Sequence, residues 1–160
     1  MTVTVSGKAL YQWRAWAIAQ SRSNNVDPQE VDWFLQGTTS ITSLSLRLNS
    51  YRNQTDISIS ASLDDFTAKW KQRIEQRIPV QYLTGETPWR QFSLSVTSDV
   101  LIPRPETELI INIAETLVRQ SPIAEQHRVG EWVDLGTGSG AIAIGLADKF
   151  PRATSHAVDD

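Results

Sequence analysis

Three glycines spaced two residues apart form the stretch of this 160-residue sequence that most clearly suggests ligand binding. Residues 136–140 read Gly-Thr-Gly-Ser-Gly and directly follow the segment Val-Asp-Leu at 133–135. Glycine has no Cβ, so a bound molecule could lie directly against the backbone of such a turn. We expect a buried strand over 131–135, a tight turn over 136–140 and a helix over 141–150.

An acidic residue, Asp159, stands at the end of the next expected strand, over 154–158. The first amide groups of the helix would point toward the turn, and a carboxylate about 20 residues further on could accept hydrogen bonds from ribose hydroxyls. A glycine turn that served only close packing would not explain the acid. The pattern therefore predicts a nucleoside-type cofactor site formed by Gly136, Thr137, Gly138, Ser139, Gly140 and Asp159.

Two kinds of nucleoside cofactor fit this pattern. Gly136, Gly138 and Ala141 also satisfy the alanine-ended dinucleotide fingerprint of nicotinamide and flavin binders. Gly140 instead gives a Gly-x-Gly-x-Gly spacing, and Asp134 places a carboxylate just ahead of the turn, where it could hold an ammonium group. S-adenosylmethionine has such a group and a dinucleotide does not. Asp134 could equally accept hydrogen bonds from amides of the loop.

The first half of the chain has a different pattern. Apolar residues recur at helical spacing over 8–21, 28–36 and 62–78, which predicts a small helical bundle within residues 1–78. Gly37 is expected to end the second helix, because glycine readily adopts the left-handed conformation that closes helices. The Ser/Thr-rich stretch between the second and third helices shows neither a helical nor a strand period.

The middle of the chain joins these two patterns. Residues 81–83 and 92–96 alternate in the manner of strands, which predicts a β-hairpin linker over 79–102. A fourth helix begins near residue 107, and a polar loop over 119–130 follows it. The later β-turn-α-β order marks the start of a doubly wound parallel sheet, so we predict an α/β protein whose incomplete cofactor domain covers 103–160.

Composition excludes several functional classes. The absence of cysteine excludes disulfides and cysteine-bound metals, and His127 and His156 stand too far apart to indicate a metal site. The net charge of -3 gives no basic footprint, so we expect no direct binding of nucleic acid. No apolar run approaches the roughly 18 residues of a membrane span, and the N-terminus lacks a signal pattern, so we expect a cytoplasmic protein without a membrane partner.

Three blocks of sequence, in this order, carry a family resemblance. They read Pro-Val-Gln-Tyr-Leu-Thr-Gly at 79–85, Leu-Ile-Pro-Arg-Pro-Glu-Thr-Glu at 101–108, and Val-Asp-Leu-Gly-Thr-Gly-Ser-Gly-Ala-Ile-Ala at 133–143. Together they resemble the HemK family of protein-glutamine methyltransferases, from about residue 8 to the end of the chain. That family pairs an N-terminal helical bundle with a class I (Rossmann-like) methyltransferase domain through a β-hairpin.

The resemblance implies methyl transfer from S-adenosyl-L-methionine to the glutamine side chain of the Gly-Gly-Gln motif in class 1 peptide chain release factors. It implies that residues 136–140 wrap the methionine part of the cofactor, that Asp159 holds the ribose, and that the bundle binds the release factor. The family's catalytic Asn-Pro-Pro-Tyr motif does not occur in this sequence. We therefore assign no catalytic residue, and we expect a truncated, inactive chain with an exposed sheet edge.

Two other functions stay open on the sequence. An N6-adenine-type nucleic acid methyltransferase shares the Asn-Pro-Pro-Tyr chemistry, because its target nitrogen is also conjugated to a planar system, although the acidic charge argues against it. A non-catalytic remnant would instead bind a partner through the bundle alone. The block at 101–108 has two interpretations of its own, a wall of the cofactor pocket or an ordinary helix start.

Overall fold

The computed structural model describes residues 3–159, and the chain divides into two compact units, Met1–Thr84 and Gly85–Asp160. We call the first the helical unit and the second the sheet unit. The α/β class is confirmed, with helices first, then a hairpin, and then a parallel β-α-β arrangement. The predicted linker, residues 79–102, contributes to both units. Residues 79–84 lie in the helical unit, and the hairpin lies in the sheet unit.

Over its described residues, 3–84, the helical unit contains five α-helices, one 3-10 helix and a small sheet. The helices are α1 (Gly7–Ser23), α2 (Gln29–Thr38), α3 (Ser43–Leu48), α4 (Leu63–Glu75) and α5 (Val80–Thr84). A 3-10 helix covers Ser50–Asn53, and strands β1 (Val3–Val5) and β2 (Ile57–Ile59) pair in antiparallel fashion. The Ser/Thr-rich stretch thus contains short elements that are too brief to give a clear period.

Aromatic side chains form the centre of the helical unit. Trp13 of α1, Phe34 of α2, and Phe66 and Trp70 of α4 lie with their ring centroids 5.1–6.5 Å apart. The rings of Phe34 and Phe66 meet edge to face, an arrangement worth about 0.5–1.5 kcal/mol beyond the buried area. The apolar stripes of the three long helices therefore close on one another, as the spacing predicts.

Two bidentate ion pairs attach α2 to its neighbours. Arg14 of α1 donates to Asp32 at 2.6 and 2.8 Å, and Arg73 of α4 donates to Glu30 at 2.5 and 2.8 Å. These hydrogen bonds raise the pKa of both guanidinium groups. All four side chains are largely shielded from water, which makes the planar fork of arginine a better partner than a surface lysine.

Two expectations for the helical unit are wrong in detail. Gly37 does not end α2, which runs one residue further, and a Cβ at Gly37 would lie 2.9 Å from the side chain of Thr84. Glycine is therefore needed there for close packing against α5. Residues 81–83 are helical and not extended, because the Tyr82 amide donates to the Pro79 carbonyl and Val80 and Leu83 are buried at helical spacing.

The sheet unit begins with an antiparallel hairpin, β3 (Glu86–Trp89) and β4 (Phe92–Ser95). A 3-10 turn at Pro105–Thr107 leads into α6 (Glu108–Gln120), which is followed by α7 (Ala124–Val129). Strand β5 (Glu131–Leu135), helix α8 (Ala141–Lys149) and strand β6 (Thr154–Val158) complete the unit. The two strands pair in parallel, from Glu131 opposite Thr154 to Leu135 opposite Val158.

The core of the sheet unit lies between the hairpin, α6 and α8. Gly145 of α8 allows the closest approach, because a Cβ there would lie 2.8 Å from Ile111 and 3.1 Å from Trp89. Trp132 of β5 stacks on Phe150 with centroids 5.1 Å apart. The expected polar loop over 119–130 instead contains α7, a short helix without a buried residue and hence without an amphipathic signal.

The expectation that β5 is buried is also wrong. Val133 and Leu135 are 56% and 76% exposed, whereas Trp132 and Asp134 are half-buried. Residues that alternate along a strand point to opposite faces, so α8 covers only one face of the sheet. Within residues 3–159, β5 pairs with β6 alone.

Candidate cofactor site at the glycine loop

The loop between β5 and α8, residues 136–140, requires glycine for its backbone conformation. Gly136, Gly138 and Gly140 have φ values of +70°, +51° and +76°, in the left-handed region that side chains disfavour. A Cβ at Gly136 or Gly138 would meet no heavy atom within 4 Å. The protein itself does not crowd these two positions, so the space in front of the loop is open to a ligand.

The start of the glycine loop is held against the end of β6. The amide groups of Gly136 and Thr137 both donate to the carbonyl of Val158, at 2.8 and 3.1 Å. Asp159 is the next residue and is exposed to solvent. The parallel register thus brings Asp159 beside the loop although 19 or more positions separate them in sequence, because the carboxyl ends of parallel strands meet at the same edge.

The carboxylate of Asp134 fastens the loop to the first turn of α8. Its Oδ2 accepts hydrogen bonds from the hydroxyl of Thr137, at 2.7 Å, and from the amide of Ala143, at 3.1 Å. The N-cap residue of α8 is Gly140, which has no side chain to accept an amide. Asp134 therefore supplies the capping acceptor from the preceding strand. The amide bonded to Asp134 belongs to α8 and not to the loop, which contributes the Thr137 hydroxyl instead. An interaction of Asp134 with an ammonium group stays a prediction.

Further bonds make the loop continuous with α8. The Gly140 amide donates to the Thr137 carbonyl at 2.9 Å, and the Ile144 amide donates to the Gly140 carbonyl at the same distance. The helix therefore begins immediately at the loop. Its first amide groups and its positive dipole end face the region in front of the loop, where a polar or anionic part of a ligand would be stabilised.

Helix α6 begins within the block at 101–108, and the role of this block as a wall of the cofactor pocket stays a prediction. The 3-10 turn ends at Thr107, whose side chain makes no capping bond, and α6 begins at Glu108. Arg90, in the hairpin turn, donates to the Glu108 carbonyl at 3.1 Å and to Asn112 at 3.2 Å. Sequence reasoning missed this connection, because residues 18 and 22 positions apart leave no local pattern.

No group of three or more His, Cys, Asp or Glu side chains within residues 3–159 has the arrangement of a metal site. In the same range, no helix is long and apolar enough to cross a membrane. The imidazole of His156 lies 3.8 Å from Glu131, and His127 belongs to α7, so the two histidines are on different elements.

The chain is similar over almost its whole length to proteins named release factor glutamine methyltransferase. It is 44% identical to the Synechocystis protein over 155 residues, which are 97% of this chain and 51% of that relative. Identity to the Thermosynechococcus vestitus protein is 41%, covering 97% of this chain and 52% of the relative, and to the Gloeobacter violaceus protein 40%, covering 92% and 48%. No protein-family model matches.

The fold and the loop together define a class. A glycine loop between a strand and a helix, followed by a parallel strand that ends in an acid, is the first β-α-β unit of a class I, Rossmann-like methyltransferase domain. With the helical unit and hairpin ahead of it, and with the relatives named above, the chain belongs to the HemK family of release factor glutamine methyltransferases. It spans about half the length of the curated relatives that it matches.

Proposed function

We propose that this chain provides the cofactor-binding loop and the partner-binding unit of a release factor glutamine methyltransferase. The observation that carries the proposal is the pair of hydrogen bonds from Gly136 and Thr137 to Val158, which sets the loop beside Asp159. The relatives' shared name supplies the reaction class. That name does not favour the alternative of a nucleic acid methyltransferase.

The residues of the loop fit S-adenosyl-L-methionine. Gly136 and Gly138 leave open space in front of the backbone, so residues 136–140 could wrap the methionine part of the cofactor. Asp159, exposed at the end of β6, would accept hydrogen bonds from the ribose hydroxyls. Asp134 would keep the loop in the required conformation through Thr137 and Ala143. When bound, the cofactor supplies an electrophilic methyl group.

Methyl transfer to a glutamine amide needs groups beyond this loop. The amide nitrogen is a weak nucleophile, because its lone pair is delocalised into the carbonyl group. An enzyme must therefore hold it in line with the methyl group and accept hydrogen bonds from its hydrogens. The family's Asn-Pro-Pro-Tyr motif would provide these acceptors and does not occur in the sequence. We propose that the 160 residues bind the cofactor but do not catalyse the transfer by themselves.

The partner of the helical unit would be a class 1 peptide chain release factor, bound through residues 1–78. The unit has a closed core, yet Trp33, Leu44 and Leu48 are exposed on its α2 and α3 helices. Tryptophan is among the residues that most often anchor protein interfaces, so Trp33 is the first candidate for such a contact. A soluble translation factor as partner places the proposed activity in the cytoplasm.

The test of cofactor binding is a calorimetric titration of S-adenosyl-L-methionine into the chain. We expect saturable binding that falls at least about tenfold in Gly138→Asp, because a carboxylate would occupy the open space in front of the loop. Gly85→Asp is the matched control, since Gly85 also has a positive φ, of +82°, and no heavy atom within 4 Å of its Cβ position. Its affinity should equal that of the parent chain.

Two results would contradict the proposal. One is the absence of binding by a chain whose circular dichroism shows it to be folded. The other is an equal loss of affinity in both glycine variants, which would indicate general backbone strain. The release-factor part has its own test, a pulldown of a class 1 release factor by the chain. If the double variant Trp33→Ala, Leu48→Ala captured as much release factor as the parent chain, these two residues would not belong to the interface.

A further inference from the structure

A surface depression of about 180 Å³ lies on the sheet unit and shares no residue with the glycine loop. It forms where the ends of α6, α7 and α8 come together, over a floor that includes Val118 and Phe150. We call it the basic pocket, because four of the residues that line it are Arg119, Arg128, Lys149 and Arg152. They come from three helices and from the turn after α8.

The carboxylates around the basic pocket do not balance these four cations. Lys149 pairs with Glu115 at 2.8 Å. Glu125 is shared between Arg152, with which it forms a close ion pair, and Arg128, at 3.8 Å. Two carboxylates thus face four cations, so two positive charges remain in excess on a chain whose formal net charge is -3. An anion with two negative charges would neutralise the excess.

Arg119 is the cation of the basic pocket best placed to bind such an anion. Across the described residues 3–159 its guanidinium lies within 4 Å of no carboxylate, and its side chain is exposed. Arg152 pairs with a carboxylate that it must share. A guanidinium presents a planar fork of donors that matches two oxygens of a phosphate or carboxylate group.

A purely structural role would explain part of this cluster. Arg119, Arg128 and Lys149 lie in the last turns of α6, α7 and α8, where cations interact favourably with the negative end of the helix dipole. That role does not apply to Arg152, which lies outside any helix. Stabilisation of helix ends also gives no reason for the ends of three helices to meet around one depression. Stability and anion binding are therefore measured separately in the test below.

The size of the depression limits the ligand. Pockets for drug-sized molecules occupy about 300–1,000 Å³, so this one is too small for a whole nucleotide. We propose that the basic pocket binds a compact dianion of phosphate chemistry, either free phosphate or a phosphoryl group that projects from a larger molecule. The site is independent of the cofactor loop and of the proposed methyl transfer.

The experiment is a titration of the ¹⁵N-labelled chain with inorganic phosphate at constant ionic strength, followed by the backbone amide shifts. We expect saturable shifts grouped around residues 119, 128 and 149–152. The double variant Arg119→Gln, Arg152→Gln should bind at least about tenfold more weakly, because it loses two charge-assisted interactions. The matched control Arg22→Gln, Arg47→Gln removes two arginines from helix last turns in the helical unit and should bind as the parent does.

A second variant tests the charge argument without removing a cation. Glu115→Gln frees Lys149 from its carboxylate and should tighten phosphate binding several-fold. Shifts that stay linear with concentration, or an affinity that is equal in the parent and in both pocket variants, would overturn the proposal. Titration with O-phosphoserine distinguishes the sources: equal affinity indicates free phosphate, and clearly tighter binding indicates a phosphoryl group on a larger molecule.

Discussion

The two units of this chain bury their apolar residues to very different extents. In the helical unit, Phe34, Phe66 and Trp70 are fully buried and every long helix closes its apolar stripe against another. In the sheet unit, α6 and the uncovered face of β5 leave large apolar side chains in solvent. Eleven of the fifteen exposed large hydrophobic residues described belong to it: Leu101, Leu109, Ile110, Ile113, Leu117, Ile123, Val129, Val133, Leu135, Ile144 and Val158.

The two units also differ in the contacts that hold their surfaces in position. The helical unit relies on a closed core with ion pairs around it. In the sheet unit, the conformation of the glycine loop rests on a few specific contacts. These are the bonds from the loop to Val158 and Asp134, and the packing of α8 through Gly145.

The largest expected effect is at the centre of the helical unit. Trp70→Ala removes a fully buried ring that packs on Trp13 and Phe34 and donates to the Ala17 carbonyl. We expect the free energy of unfolding of this unit to fall by about 3–5 kcal/mol, measured by urea denaturation. The control Trp33→Ala changes a residue that is 52% exposed and should cost under about 0.5 kcal/mol. Equal losses of unfolding free energy in Trp70→Ala and Trp33→Ala would contradict the description of a closed aromatic core.

The next effect concerns the close contact between Gly145 and Ile111 in the sheet unit. Gly145→Val places carbon atoms within 3 Å of Ile111, and overpacking of this kind costs about 1–3 kcal/mol. Replacing an exposed glycine in a helix usually stabilises the protein. A loss of stability in Gly145→Val would therefore identify the contact with Ile111 as the cause. Adding Ile111→Val, which removes the Cδ1 atom, should restore part of the loss. A thermal melt that is unchanged or raised in Gly145→Val would show that α8 is not closely packed.

A smaller effect is expected on the open face of the sheet. Leu135→Gln changes a side chain that is 76% exposed, so its unfolding free energy should change by less than about 0.5 kcal/mol. Leu146→Ala, at a buried position of α8, is the matched variant and should cost about 2–5 kcal/mol. A loss of 2 kcal/mol or more in Leu135→Gln would mean that this face is covered in solution, for example by self-association, which sedimentation would detect.

The smallest expected effect concerns the pKa values of one carboxyl group in each unit, Asp65 and Glu115. Hydrogen bonds from Ser62 lower the pKa of Asp65 in the capping box of α4, and the bond from Lys149 lowers the pKa of Glu115. A carboxyl whose pKa is lowered by folding adds stability above its unfolded pKa and loses it as the pH falls through the folded value. Both titrations should therefore appear at the acidic edge of the stability profile.

These two carboxylates can be told apart by NMR titration of their side chains. Ser62→Ala should raise the midpoint of Asp65, because it removes the main donor. High salt should raise the midpoint of Glu115 more than that of Asp65, since an exposed ion pair is screened and a local hydrogen bond is much less so. An identical salt response in both residues would contradict the assigned causes.

The sequence was most informative where a local pattern and its boundary signals agree. Strands β5 and β6 have the predicted bounds because each is a short run ended by glycine or acidic residues. The cap of α4 follows from Ser62 and the acids after it. The roles of the five loop residues, 136–140, and of Asp159 stay predictions, although the order strand, glycine turn, helix and acid is read directly from the residues.

Only the tertiary structure decided which residues those elements meet. Gly37 and Gly145 serve close approach to Thr84 and Ile111, and no local pattern distinguishes that use from a helix end or a weak helix position. Asp134 caps α8 through the amide of Ala143, nine residues further on, and Leu135 looks like a core residue yet is 76% exposed. Backbone preference is a local property that the residue types determine, whereas burial and partners depend on which segments the chain brings together.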